Sequence, residues 1–157
     1  MIICSRCIYD DNVNAISFNE NGVCNYCIMI DGLKDEYGTG ALKGENKLAA
    51  IVEEIKRDGK KKKYDCVVGV SGGTDSSFLL HWAFENGLRP LAVHYDNTFN
   101  TNIATTNIEK ITTKLGIDLS THIVDNLEIE DIYKSFFLAS VPELDNCSDI
   151  ALTEVLY

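Results

Sequence analysis

The run Val67-Val68-Gly69-Val70-Ser71-Gly72-Gly73-Thr74-Asp75-Ser76-Ser77 decides how this chain folds. It opens apolar and β-branched, the composition of a strand buried on both faces. Two adjacent glycines then break it. From Ser76 to Glu85, the apolar residues Phe78, Leu79, Trp82 and Ala83 recur at helical spacing. Strand, glycine turn and helix make the layout of a phosphate cradle. Glycines let backbone N–H groups close on an anion, and the new helix points its unpaired N–H groups at it. Ser71, Thr74, Ser76 and Ser77 add hydroxyl donors. Gly73 is the glycine expected to hold a positive φ and the close backbone approach.

The pattern is not a Walker A loop, which needs G-x-x-x-x-G-K-[ST] with a lysine on the terminal phosphates. Ser71-Gly72-Gly73-Thr74-Asp75-Ser76 instead resembles the S-G-G-x-D-S signature of the PP-loop ATP pyrophosphatases. Many of these carry lysine at the variable position, where this chain has Thr74, so no lysine role transfers to that site. The competing reading is a serine-rich helix cap after a glycine turn. Six matched positions in strand-to-helix context weigh against it. The resemblance implies cleavage of ATP between its α- and β-phosphates, with activation of a substrate as its adenylate. It assigns Ser71, Gly72, Gly73, Thr74, Asp75, Ser76 and Ser77 to ATP binding, and Asp75 and Ser76 to catalysis.

Composition narrows the choices. A length of 157 residues suits one domain plus a small appendage, and 45% hydrophobic content is enough for a core. The formal net charge of −10 argues against a broad nucleic-acid footprint, which needs clustered Lys and Arg. The basic run Lys60-Lys61-Lys62-Lys63 is read as a solvated linker. No apolar run is long enough to span a membrane, and Met1-Ile2-Ile3-Cys4 is too soon interrupted for a signal peptide. Six cysteines in such a chain point to a reducing, cytoplasmic setting and to metal binding or catalysis.

Cys4 and Cys7 form one C-x-x-C pair, and Cys24 and Cys27 a second, sixteen residues on. This is the spacing of a four-cysteine zinc site, in which each short gap presents two sulfurs to one ion. Asn21-Gly22 supplies turn chemistry before the second pair. Ala15 to Phe18 is expected as one short strand, with too little apolar mass nearby for a core, so Zn²⁺ is expected to do the folding work. Two disulfides or four unrelated cysteines are the competing readings. Four thiolates leave no open position, so the role is structural.

The division expected is a zinc-binding module over 1–32, a linker and amphipathic helix over 33–63, and the nucleotide-binding domain over 64–157. Asp31 to Gly44 is rich in glycine and reads as linker. Asn46 to Arg57 reads as a helix with Leu48, Ile51, Val52 and Ile55 on one face. Further strands are expected near 66–70, 91–95 and 119–124. Helices are expected over 101–115, over 129–139 with Ile132, Tyr133 and Phe136 on one face, and from an N-cap at Ser148 onward. Alternating strands and helices predict an α/β fold with a doubly wound parallel sheet. Its ligands would bind beyond the carboxyl ends of the strands. There lie the glycine turn, Asp96-Asn97-Thr98-Phe99-Asn100 and Asp125-Asn126. Asp75 and Asp96 are the candidates for Mg²⁺. Helix capping competes at Asp75, and a turn role competes at Asp96. His81, His94 and His122 are read as satisfied histidines, Cys66 as a small core residue, and Cys147 as a loop thiol just before a helix.

Taken together, the cysteine pairs, Asn21-Gly22-Val23-Cys24, Ser71 to Ser76, Val93-His94-Tyr95-Asp96-Asn97 and Phe99-Asn100 resemble the N-acetyl sugar amidotransferases of surface-polysaccharide synthesis. That resemblance implies conversion of an acetamido group to an acetamidino group on a nucleotide-linked N-acetyl sugar. It implies ATP, Mg²⁺ and Zn²⁺, and ammonia from a separate glutaminase subunit. Two other readings stay open: a zinc-containing PP-loop tRNA sulfurtransferase, for which Cys147 is the support, and a non-catalytic half or binding module of a split enzyme. PP-loop domains imply the strand order 3-2-1 with two further strands beyond strand one. Strand one, the most apolar, is expected in the middle, covered by a homo-oligomer partner or a missing carboxyl-terminal half.

Overall fold

The computed structural model describes residues 1–143 and 145–156. It forms two compact units, Met1–Ile51 and Val52–Tyr157.

The first unit is built on turns rather than on sheet. Ile3 bridges Asp10 and Phe18 bridges Cys24, both antiparallel. Of the strand expected over 15–18, Phe18 alone pairs in this way. The Asn19 side chain accepts from the N–H groups of Asn21 and Val23, and Gly22 takes a φ of 71°. Helix α1 (Asn25–Tyr37) follows, and Gly38 ends it in the left-handed conformation. The linker expected from Asp31 is therefore helical for its first half. Gly32 lies inside the helix in open space, so its presence signals no break. Helix α2 (Leu42–Gly59) starts earlier than expected. Of its predicted apolar face, Val52 is buried, whereas Leu48 and Ile51 are exposed.

The second unit alternates β1 (Cys66–Gly69), α3 (Thr74–Glu85), β2 (Pro90–Asp96), α4 (Asn102–Leu115), β3 (Leu119–Ile123), α5 (Asn126–Leu138) and α6 (Asn146–Leu156). Its three strands are parallel, in the order β1-β2-β3, with Val68 opposite Ala92 and Tyr95 opposite His122. Among the described residues β2 is the central strand, and β1 pairs on one side only. β2 is also the better buried, at Pro90, Ala92, Val93 and His94.

Pleating splits the strands between two helical layers. Val68, Val70 and Ala92 pack with Leu80 of α3 and Ile108 of α4. Cys66 joins Val52 and Ile55 of α2 against Trp82 and Ala83 of α3. Burial pushes the Cys66 thiol up to about 11, with the Asp65 charge adding to it, which suits an inert core cysteine. On the opposite face, Leu156 of α6 rests on Gly69, and Tyr95 lines a cavity with Ile129 and Ile132 of α5. Helices on both faces make this the doubly wound arrangement.

Three local expectations change. In α3, Leu80 is fully buried, while Phe78 and Leu79 are exposed. Asp125 is the N-cap of α5, accepting from the N–H groups of Leu127 and Glu128, so the helix opens three residues early. Helix α6 opens at Asn146, which puts Cys147 and Ser148 inside its first turn rather than ahead of it. No helix among the described residues is long and apolar enough to cross a membrane.

Candidate nucleotide and metal sites

Where β1 ends, the chain makes the turn that its glycines require. Gly72 takes a φ of 76° and is pressed against the backbone of α4, so that a Cβ there would stand 2.3 Å from the Ala104 carbonyl oxygen. Asn107 of α4 donates to the Gly72 carbonyl at 3.1 Å. Gly73 has the ordinary extended φ of −79°, and a Cβ on it would meet only Ser71 Oγ at 3.4 Å. The glycine that needs its missing side chain is thus Gly72, not Gly73. The position of α4 decides this, and a local reading of the motif does not contain it.

Gly73 is the N-cap of α3 and makes no side-chain capping bond. By contrast, Thr101 caps α4 and Asp125 caps α5 with their side chains. The opening N–H groups of α3 have no intrahelical acceptor by helix geometry, and Gly73 supplies them no side-chain cap. Next to them the Ser71 and Ser76 hydroxyls lie 3.2 Å apart, and Ser76 Oγ accepts from the Ser71 N–H at 3.2 Å. Backbone donors, two hydroxyls and a helix N-terminus form a donor set suited to phosphate. Ser76→Ala is expected to weaken pyrophosphate binding by about 1–3 kcal/mol, because it removes one hydroxyl donor to a charged group. Calorimetric titration would measure this, and an unchanged dissociation constant would exclude a role for the hydroxyl.

Beyond the carboxyl ends of β1 and β2 opens a cavity of about 600 Å³. Ser71 and Ser76 form one part of its wall, and His94, Tyr95, Asn97 and Asn100 another. Asp145, Ser148 and Asp149 of the α6 start face it as well. The Ser148 hydroxyl accepts from Asn97 Nδ2 at 3.1 Å and is 2.8 Å from the Tyr133 hydroxyl. Ser148, expected as a cap, is therefore a wall residue joining α5, α6 and the loop after β2. Burial, and secondarily the neighbouring Cys147, pushes the Tyr95 phenol up. Burial likewise raises Tyr133, so both phenols stay neutral donors at neutral pH.

The remaining predicted site residues sit apart from this wall. Thr74 and Asp75 are exposed in the first turn of α3, and the Ser77 N–H returns to the Gly73 carbonyl. Asp96 Oδ1 accepts from the Thr98 N–H at 2.9 Å and from Asn100 Nδ2 at 2.8 Å. Neither Asp75 nor Asp96 lines the cavity. His94, read from sequence only as a satisfied histidine, is buried with two partners and does line it. The available signal was its place two residues before the exit of β2. His81 and His122 are exposed.

In the first unit, the sulfurs of Cys4, Cys7, Cys24 and Cys27 all lie within 4.8 Å of one another. Cys4 and Cys27 are 4.0 Å apart and Cys7 and Cys24 3.7 Å. Four sulfurs at the usual Zn–S length of about 2.3 Å make a tetrahedron of edge about 3.8 Å. The geometry therefore fits zinc. Burial pushes the Cys4 thiol up, but backbone N–H groups from Arg6, Cys24 and Cys7 outweigh this and hold it at about 6. Cys27 is pushed up to about 12, by burial and then by the neighbouring cysteines. A cation would relieve the crowding of four thiolates. Arg6 forks onto the Asp31 carboxylate, one arm at 2.9 Å, and holds that carboxyl below its usual range.

No curated protein matches the chain. A solved structure of NH3-dependent NAD synthetase from Campylobacter jejuni subsp. jejuni NCTC 11168, in complex with the nitrate ion, is similar at 18% identity and a TM-score of 0.48. The similarity covers 71% of this chain and 50% of that one, so this chain spans about half the length of that relative. The family model described as Queuosine biosynthesis protein QueC matches residues 65–153, from just before β1 into α6. That match takes in the glycine turn, its helix and every strand of the sheet, and on it the chain belongs to the QueC family, within the PP-loop ATP pyrophosphatases.

Proposed function

We propose that this chain is an ATP-dependent, AMP- and pyrophosphate-forming amidotransferase acting on the acetamido group of a nucleotide-linked N-acetyl sugar. The observation that supports it most is the Ser71–Ser76 turn, with its uncapped helix start, opening into a cavity of about 600 Å³. The substrate class rests on the paired cysteines and on the Val93-His94-Tyr95-Asp96-Asn97 stretch, which resemble the sugar amidotransferases.

An amide oxygen is a poor leaving group. Its attack on the α-phosphorus of ATP forms an O–P bond and expels pyrophosphate. Ammonia then adds to the activated carbon, the C–O bond breaks, AMP departs, and loss of a proton leaves the acetamidino group. In this reading the α3 N–H groups with Ser71 and Ser76 hold the leaving pyrophosphate, where fixed donors count most. Asp75 and Asp96 are the proposed Mg²⁺ ligands although neither lines the cavity, and an ion held by them would supply charge neutralisation on the phosphates. A separate glutaminase subunit would supply the ammonia.

A second reading draws on the family description, which names queuosine biosynthesis. It would make the acceptor a nucleoside, or tRNA in the sulfurtransferase version. Against tRNA stands the net charge of −10. Release of AMP and pyrophosphate should be followed with ammonia plus a nucleotide-linked N-acetyl sugar, a nucleoside acceptor or tRNA, with and without a glutaminase. Sugar-dependent release, with an amidino product identified by mass, is the expected result. Release with the nucleoside or tRNA alone would replace the substrate class. ATP binding without turnover on any acceptor would favour a non-catalytic half.

A further inference from the structure

The loop leaving β2 is more constrained than a connection needs to be. Thr98 sits at a φ of 70°, which β-branched residues rarely adopt. Asp96 Oδ1 holds it there through the Thr98 N–H, and Asn97 Oδ1 accepts from the Phe99 N–H at 3.1 Å. The outcome of this winding is the placement of Asn100 against His94.

His94 is 5% exposed, and its Nδ1 lies 2.9 Å from the Val70 carbonyl oxygen. A carbonyl can only accept, so Nδ1 carries the proton in that contact. Nε2 lies 3.3 Å from Asn100 Nδ2, which can only donate. The neutral ring with its proton on Nδ1 therefore satisfies both contacts. The second hydrogen of the Asn100 amide goes to Asp96 Oδ1 at 2.8 Å. A carboxylate oxygen can only accept, which fixes which way the amide faces. Both Asn100 amide hydrogens are thus engaged, and both His94 and Asn100 line the cavity that Ser71 and Ser76 enter.

We propose that Asn100 is an acceptor-only specificity residue for the nucleotide in this cavity, and that His94 is the positioning residue that makes it so. This rests on the reading that the cavity binds ATP. With its amide hydrogens held, Asn100 offers a ligand only Oδ1. It selects an N–H or O–H donor and rejects a carbonyl at the same place. ATP carries such donors at the adenine 6-amino group and at the two ribose hydroxyls, whereas guanine presents an oxygen at the 6 position.

Two variants separate positioning from plain structure. His94→Asn keeps a donor near the Nδ1 position for Val70 and removes the acceptor for Asn100. His94→Gln puts an amide oxygen near the Nε2 position and gives up Val70. Calorimetry with Mg²⁺ should compare ATP, purine riboside triphosphate, 2′-deoxy-ATP, 3′-deoxy-ATP and pyrophosphate on the whole chain. One analogue is expected to bind the wild type about tenfold more weakly than ATP, the scale of one hydrogen bond, and it identifies the donor read. In His94→Asn and Asn100→Ala, ATP should fall to the level of that analogue while pyrophosphate binding is unchanged. His94→Gln should retain most of the preference. The proposal is overturned if all three analogues match ATP, if Asn100→Ala keeps the preference, or if His94→Gln falls as far as His94→Asn. Failure of wild type to bind pyrophosphate is a different result: it removes the cradle reading and this proposal with it.

Discussion

Gly72→Ala is expected to abolish detectable ATP and pyrophosphate binding and to destabilise the second unit. Two costs add at this position. An L-residue in the left-handed region costs about 1–2 kcal/mol relative to glycine. The new methyl group would also lie 2.3 Å from the Ala104 carbonyl oxygen and 2.7 Å from its carbonyl carbon, backbone atoms that cannot turn aside. Forcing α4 or the loop apart adds about 1–3 kcal/mol, as overpacking does in a core. The loop is the more yielding partner, because α4 is anchored through Ile108 in the core. Its displacement would take Ser71 and the N-terminus of α3 out of register with each other. Gly73→Ala is the matched control. Its backbone is extended and its Cβ would make an ordinary contact, so it should cost less than about 1 kcal/mol in stability. Urea unfolding and calorimetry with pyrophosphate would measure both variants. Wild-type binding by Gly72→Ala, or an equal loss in the two, would show that the turn does not form as described.

The contrast between those two glycines shows where sequence reasoning stops. The β-branched run, the double glycine and the helical spacing after it mark β1, the turn and α3 because each signal is local. Which glycine lies against a neighbouring backbone depends on where α4 lands, and that is a long-range fact. The same division explains α3 itself. Phe78, Leu79, Leu80, Trp82 and Ala83 make this helix apolar on several sides, so spacing cannot choose the inner face. The sheet chooses Leu80 and Ala83. Asp125 and Ser148 show the exchange of roles. Both types suit caps and ligand loops alike, and tertiary placement made the first a cap and the second a cavity wall. The four cysteines were legible because the metal's demand is written in their spacing. Helix α1 was not, because it has no buried residues to leave an amphipathic trace.

That absence of burial leads to the other large effect. Cys24→Ser is expected to release the metal and unfold the first unit while the second stays folded. In residues 1–51 the buried core side chains are Cys4 and Cys24. Ile2, Ile3, Ile8, Ile28, Met29, Ile30 and Leu33 are all exposed, so apolar burial contributes little there. A unit of this size rarely holds itself together without a disulfide, metal or partner. The sulfur cluster takes that place, with the Cys24 N–H donating to Cys4 Sγ at 3.3 Å and tying the two knuckles together. Structural zinc supplies an apparent 10–16 kcal/mol, roughly, at neutral pH, and loss of one thiolate forfeits most of it. Serine cannot substitute, since its hydroxyl stays protonated where a thiolate is needed. The second unit keeps its own cores around Leu80 and around Ala83. Elemental analysis should give one zinc per wild-type chain and none in Cys24→Ser. Limited proteolysis should then cut the variant within residues 1–51 and spare the glycine turn. Full zinc content in Cys24→Ser, or a metal-free first unit as resistant to protease as the wild type, would show that something other than the thiolate cluster holds it.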